Sequence, residues 1–539
     1  MRIRDIAMAG VVFAASGLAC SSSSGPSDPG TSSSNCVTDL SCGFNQECNG
    51  GGCGPITPAL RSHIQTASCL MRAENDANET SWRAGHFDLL IAGYYPDDSR
   101  AVNPNIRLFE YMVARFNRFD LPAPKTAMQW ASSNGFNGED FYLHFKEDTY
   151  IPTWEGKTIV PGFPAGMVPG WVPGGPVAGA SATSRDQSRV VGYYYGPQPW
   201  YFANVANPGY RAFLKTYMTG AMNGTWWFNQ TFASGAVDGI MIDDAIWYPK
   251  FGEGLLDHTT EYYGIPVNDS HPYTYAIENI YPALASDMLQ QFNETKDIMP
   301  NYGHVLFLNY NNRCAKDIQK TTPWIWGEVW VTYTGASSPV TGSTRCMSEM
   351  YDYDQGVKQI VLQTRAGGRR ILGARDPSNG TAGSDRGKMM TLGMYYLVHN
   401  AHTYYMYESA AHNEAGDLTT WGYNPLVEFD VGQPDQVPAG FVDFEGKANT
   451  KEHYLFASGT DPSYPSLTYH VYARKFTNAL VLVKLMPING TTGGSTGDSS
   501  ITIHALDGTY APLQVNGTLG APMTQAQIRN NEALILVKL

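Results

Sequence analysis

The sequence predicts an α/β fold, a (β/α)8 TIM barrel followed by a small antiparallel β-domain, and three observations carry that prediction. From about residue 80 onward, apolar runs alternate with longer helix-like segments, the signature of a parallel sheet with crossover helices. One run, Val237-Asp-Gly-Ile-Met-Ile-Asp243-Asp244, ends abruptly in two adjacent carboxylates, as a buried parallel strand does when it delivers acids to the mouth of a barrel. Beyond about residue 440 the runs are short and separated by Gly, Asn and Pro turns, the pattern of an antiparallel β-domain.

The elements follow in chain order. Residues 1–19 read as an export signal: Arg2 and Arg4 are basic, and Ile6 to Ala19 is apolar but too short to span a bilayer. Ala19-Cys20 followed by a Ser run resembles a bacterial lipoprotein N-terminus, although Gly17 stands where that class usually has Leu and Leu18 lies one position nearer the Cys. The resemblance implies lipidation of Cys20 and a cell-envelope location, anchored to the outer membrane or cell surface; plain secretion is the alternative. Residues 20–35 form a Ser/Gly/Pro tether. Residues 36–56 hold Cys36, Cys42, Cys48 and Cys53 among Gly and Asn, with too little apolar material for a core without disulfides. Cys314 and Cys346 follow neighbouring expected elements, and Cys69 is left over.

Residues 80–439 form the expected barrel. Its strands are Phe87–Gly93, Asn105–Met112, Asp140–Phe145, Val237–Asp243, His304–Asn309, Trp324–Trp330, Lys358–Thr364 and Thr403–Glu408. Helices are expected over Asn207–Gly220, Tyr273–Asn293, Met347–Val357 and Arg386–Asn400, with a Gly/Pro/Tyr-rich insertion over roughly 150–206. In the β-domain, residues 440–539, strands are expected at Leu467–Ala473, Leu480–Leu485, Ser500–His504 and Ala533–Leu539.

Composition narrows the partners. Charged residues are 16 % and aromatic ones 12 %, with a net charge of −13, which argues against nucleic acid and against an anionic membrane surface. The only membrane association expected is through the lipid anchor. Acidic and aromatic together suit a neutral polyhydroxylated ligand, although much of the aromatic content serves a core equally well.

A barrel carries its site on the loops after the carboxyl ends of its strands. There the expected strands deliver Tyr94, Tyr95, Asp97 and Asp98, then His144 and Glu147, then Asp243 and Asp244. Next come Asn309 and Asn311, Glu328 between Trp326 and Trp330, Arg365, and Glu408. Rings that stack on pyranose faces, with carboxylates and amides that grip hydroxyls, make a carbohydrate-handling set. Glycoside hydrolysis needs one ionised and one protonated carboxyl flanking the bond. Asp243, at the end of the most strongly patterned strand, is the expected nucleophile. Glu328, desolvated among Trp and Val, is the expected acid, with Glu408 its competitor. Structural alternatives stay open: Asp244 as a helix cap, and Glu328 as an ion-pair partner of Arg345 or Arg365. A carbohydrate-binding or surface-assembly protein on a catalytically inactive barrel is the rival function. No Gly-x-Ser-x-Gly elbow or dinucleotide fingerprint opens a helix after a strand, and no P-loop is present. No cofactor or metal is expected.

Two further pieces resemble a known family. Val237-Asp-Gly-Ile-Met-Ile-Asp-Asp-Ala245 and Tyr472-Ala-Arg-Lys-Phe-Thr-Asn-Ala-Leu-Val-Leu-Val483, with the helix opening Asn207-Pro-Gly-Tyr-Arg-Ala-Phe-Leu214, resemble glycoside-hydrolase-like family fifteen over roughly residues 85–539. That family usually continues with Asn-Pro where this chain has Lys484-Leu485. The resemblance implies a barrel with a C-terminal β-domain and a glycosidase activity, without a substrate.

Overall fold

A computed structural model describes residues 46–49, 52–55, 64–69, 77–91, 96–113, 116–118, 122–141, 144–145, 191–195, 198–203, 207–218, 238–243, 260–261, 297–300, 324–333, 340–341, 353–365, 368–376, 385–409, 423–485 and 500–539. The signal, the tether, most of the Cys-rich module and the expected elements at 273–293 and 304–309 lie outside these residues. Among the described residues no helix is long and apolar enough to cross a membrane.

In chain order the strands begin with β1 (Gln46–Asn49), β2 (Gly52–Pro55), β3 (Ala67–Cys69), β4 (Leu89–Ile91), β5 (Arg107–Val113) and β6 (Phe116–Arg118). They continue with β7 (His144–Phe145), β8 (Val191–Tyr195), β9 (Gln198–Phe202), β10 (Gly239–Asp243), β11 (Thr260–Glu261) and β12 (Asp297–Pro300). Then come β13 (Trp324–Tyr333), β14 (Val340–Thr341), β15 (Arg369–Asp376) and β16 (Thr403–Ser409). The helices are α1 (Ala77–His86), α2 (Pro96–Val102), α3 (Pro122–Ser133), α4 (Pro208–Met218), α5 (Tyr353–Arg365) and α6 (Asp385–Val398).

The chain divides into two compact units. In the unit built on Glu110–Val305, β10 pairs with β12 in parallel. There Phe141 is buried among the rings of Trp130, Tyr210 and Phe213, which come from α3 and α4. This packing explains why the strand expected over Asp140–Phe145 does not form. Gly138–Phe141 is a 3-10 turn that delivers Phe141 to the cluster, and His144–Phe145 makes only a short antiparallel pair with β11.

The second unit holds Ser24–Phe109 and Pro323–Leu539. β3, β4 and β5 pair in parallel, as do β13, β15 and β16. The two sets join where Thr66 bridges Tyr405 in parallel and the Tyr405 amide donates to the Gln65 carbonyl at 2.8 Å. The result is one parallel run in the order β13-β15-β16-β3-β4-β5, with α1, α2, α5 and α6 in its crossovers. Its last strand in sequence lies beside its first, as a (β/α)8 barrel requires.

Two expected elements are corrected here. The first parallel strand is β3, ahead of residue 80; Ala-Ser-Cys is too short and small to register as an apolar run. Lys358–Thr364 is not a strand but part of α5. Val357, Ile360, Val361 and Thr364 are buried while Leu362 is 42 % exposed, a spacing with helical period. The strand that follows is β15, whose apolar residues are masked in the sequence by Arg369, Arg370 and Arg375.

The C-terminal β-domain is a six-stranded antiparallel sheet in the same unit. Its strands are β17 (Tyr454–Thr460), β18 (Thr468–Lys475), β19 (Ala479–Leu485), β20 (Thr502–Pro512), β21 (Met523–Ile528) and β22 (Glu532–Lys538), ordered β17-β18-β19-β22-β20-β21. One face closes over a core of Val471, Leu480, Leu482, Tyr510, Ile528 and Leu536. The other receives α6 at Gly393, where an added Cβ would lie 2.3 Å from the Ala533 Cβ. Burial on both faces accounts for the apolar run Ala479–Val483 of β19.

The Tyr472–Val483 motif has a structural role in this arrangement. Arg474 is buried, and its Nη1 donates to the carbonyls of Tyr396, Leu397 and His399 at the end of α6. Those are acceptors that a helix terminus leaves without intrahelical donors. Lys484 is also buried. Its Nζ donates to the Ser500 carbonyl at 2.7 Å and lies 4.8 Å from the centre of the Tyr469 ring.

Candidate functional site

Ring contacts distinguish the two faces of the parallel run. Trp324, at the start of β13, lies 5.1 Å from Phe109 of β5 and 5.5 Å from Tyr404 of β16. Arg107 and Arg369 sit over its ring at 5.6 and 4.9 Å. Trp324, Phe109 and Tyr404 come from strands that are not neighbours in the run, so their contacts define an inner face. Tyr405, the next residue on β16, faces the opposite way and meets Thr391 of α6 at 2.9 Å. The amino end of the run thus carries a buried tryptophan ring with two guanidinium groups over it. In barrels this end serves stability, whereas chemistry sits at the carboxyl ends.

The expected site residues fall as follows. Asp243 is the last residue of β10. Glu328 lies in β13 within the stretch, between Gly327 and Val331, where the register with β15 shifts. Such irregularities cluster beside active sites because they re-aim side chains. Trp326 is the register partner of Ile371, and Trp330 immediately precedes Val331, where pairing resumes. Glu408 is next to last in β16. Asp98 is exposed in the first turn of α2, after β4. His144 is the register partner of Glu261 in the β7–β11 pair, so it does not end a parallel strand. Tyr94, Tyr95, Asp244, Asn309, Asn311 and Cys20 lie outside the described residues.

Arg365 is placed elsewhere than expected. It closes α5, just before β15 begins, which puts it at the amino ends of the strands. There its Nη1 and Nη2 contact Glu445 and Glu452 at 2.8 and 3.0 Å, and its guanidinium lies over the Phe444 ring. Those partners hold the Arg365 side chain above the usual arginine pKa despite the opposing effect of burial, while Arg365 and Lys447 hold the Glu445 carboxyl below its own. The arginine that does stand near a strand's carboxyl end is Arg375, the register partner of Glu408.

The chain matches no protein-family model and no curated protein. Among solved structures it is similar to a debranching enzyme from Nostoc punctiforme, at 9 % identity and a TM-score of 0.36 over 88 % of this chain and 86 % of that one. It is also similar to a GH30 endoxylanase from Clostridium papyrosolvens, at 10 % identity and a TM-score of 0.32 over 89 % of this chain and 97 % of that one. A cycloisomaltooligosaccharide glucanotransferase from Paenibacillus sp. matches at 11 % identity and a TM-score of 0.32, over 89 % of this chain and 55 % of that one. The chain therefore spans little more than half of the glucanotransferase. Likeness this slight transfers no activity, so the functional reading rests on the chain's own residues.

Proposed function

We propose that the chain is an exported glycoside hydrolase on a (β/α)8 barrel, acting on extracellular poly- or oligosaccharide. The observation that carries this reading is the acid at the carboxyl end of a parallel strand, Asp243 closing β10, with Glu328 and Glu408 on two further parallel strands. Asp243 is the nucleophile and Glu328 the acid/base of a two-carboxylate retaining mechanism. Glu328 first protonates the leaving oxygen as Asp243 attacks the anomeric carbon. It then takes a proton from the water that releases the sugar from Asp243. Asp244, Tyr94, Tyr95, Asp98, Asn309, Asn311, Trp326 and Trp330 supply hydroxyl and ring contacts. Cys20 carries the lipid that holds the protein at the cell envelope.

The test is release of reducing ends from a panel of polysaccharides by the purified protein and its Asp243→Asn variant. Turnover abolished in the variant supports the reading. Binding without turnover, unchanged by Asp243→Asn, favours a carbohydrate-binding or surface-assembly protein.

A further inference from the structure

The end of α3 and the loop after it, Ser132-Ser-Asn-Gly-Phe-Asn137, are exposed throughout. Gly135 takes a left-handed φ of 76°. The Phe136 amide donates to the Ala131 carbonyl at 2.8 Å, and the Gly135 amide reaches the Ser132 carbonyl. This is a helix end closed by glycine, in which the residue after the glycine folds back over the last turns. The Phe136 ring accordingly lies parallel to that of half-buried Trp130, with 9° between planes and 5.8 Å between centres. It also rests against Gly209 in the first turn of α4, where an added Cβ would come within 2.6 Å of the Phe136 Cδ1.

The helix end accounts for the position of this ring but not for its exposure, since Phe136 keeps 41 % of its surface accessible. It is the only large hydrophobic so exposed among the described residues of its unit. A stable protein interface takes about 800 Å² from each partner, far more than one phenyl ring beside an indole offers. One sugar ring is the right size. The polar surroundings agree with a neutral ligand. Asn134 and Asn137 flank the ring with exposed carboxamides, and residues 131–141 include no Lys or Arg that would draw an anion.

We propose that Phe136 and Trp130, with Asn134 and Asn137, form an auxiliary binding site for neutral polysaccharide. The rings take the C–H face of a pyranose while the carboxamides hydrogen-bond its hydroxyls. Gly135 and Gly209 fix the ring before the ligand arrives, which lowers the ordering cost of binding. The loop follows a helix, so it stands apart from the strand-end loops that carry chemistry in a barrel. Binding here needs no turnover and goes beyond the glycosidase reading.

Electrophoresis of the full chain through native gels containing soluble starch, dextran, xylan or β-glucan tests the site. At least one polymer should retard the wild-type protein. Phe136→Leu keeps an apolar cap without the ring and should bind that polymer about 10-fold more weakly, while Phe136→Tyr should bind as wild type does. If Phe136→Leu melts well below wild type, Phe136→Met replaces it. Equal retardation of Phe136→Leu and wild type, or no retardation of wild type by any of the four polymers, overturns the proposal. So does a Phe136-dependent association with phosphatidylcholine vesicles in place of polymer binding. Retardation that depends on Phe136 in a protein releasing no reducing ends leaves this site standing and sinks the glycosidase reading. Release of reducing ends with retardation independent of Phe136 does the reverse.

Discussion

The Arg474 Nη1 donates to the His399 carbonyl at 2.7 Å, so a side chain of the C-terminal sheet closes the end of a helix from the parallel α/β part. The same nitrogen reaches the Tyr396 and Leu397 carbonyls, and Nη2 reaches the Lys451 carbonyl. The Tyr472–Val483 segment around Arg474 is therefore an assembly device. A β-domain joined this way is part of one compact unit with the strands it covers.

Arg474→Ala should destabilise the protein by about 3 kcal/mol, because it removes a buried charged donor from three carbonyls at the end of α6. Arg474→Lys should recover only part of that, since an ammonium lacks the planar fork. Urea midpoints measure both, and an Arg474→Ala midpoint equal to wild type would refute the role.

Gly393→Ala should also destabilise, by about 1–3 kcal/mol, the usual range for overpacking. The added Cβ would meet Ala533 at 2.3 Å and Val483 at 3.3 Å. Adding Ala533→Gly to the Gly393→Ala variant should restore much of the melting temperature. A double variant no better than the single one would mean that some other contact limits the helix.

His453 is buried, lies against the Phe444 ring, and meets the Leu397 carbonyl through Nδ1 at 2.8 Å. Burial, with Arg474 adding to it, pushes its pKa down to about 3. The unfolded chain takes up this proton near the ordinary histidine value of about 6.5, whereas the folded chain does so only near 3. The stability it contributes is full above the unfolded value and falls as pH drops from there toward 3, by at most roughly 1.4 kcal/mol per pH unit. His453→Gln should flatten that acid limb in urea titrations at pH 7 and 4.5. The same slope in variant and wild type would assign acid sensitivity to other groups.

Asp243→Ala should reduce turnover by orders of magnitude with little change in melting temperature, since a carboxylate at a strand's end acts on the transition state. Glu328→Gln should impair substrates with poor leaving groups more than activated aryl glycosides. The product should retain its anomeric configuration by NMR, with the two carboxyl groups about 5–5.5 Å apart in a crystal structure. An inverted product, or a separation of roughly 6.5–9.5 Å, would replace the retaining mechanism with an inverting one.

Cys20→Ala should shift the protein out of the membrane fraction or leave it unprocessed, because an acyl anchor is what would hold a hydrophilic tether to a bilayer. Unchanged fractionation would rule out lipidation at Cys20.

Local pattern alone determined several elements: β10 with its terminal Asp243, β13, β16, α4, α6, and the β18–β19 and β22 strands. In each, the observed element overlaps the run that the apolar residues and chain breakers predict. The sequence also placed Glu328 and Glu408 on parallel strands. Tertiary structure decided the rest, for three physical reasons. β3 is too short for any periodicity, and only its bridge to Tyr405 makes it the first strand. α5 carries β-branched residues that suit a strand, yet its buried side repeats at helical spacing once it packs, which moves Arg365 to the amino ends. β15 carries three arginines, Arg369, Arg370 and Arg375, around a short apolar stretch, so only its pairing with β13 and β16 makes it a strand. Strand pairing is a long-range choice that local sequence does not encode, and the partners of the rim acids are set by that choice.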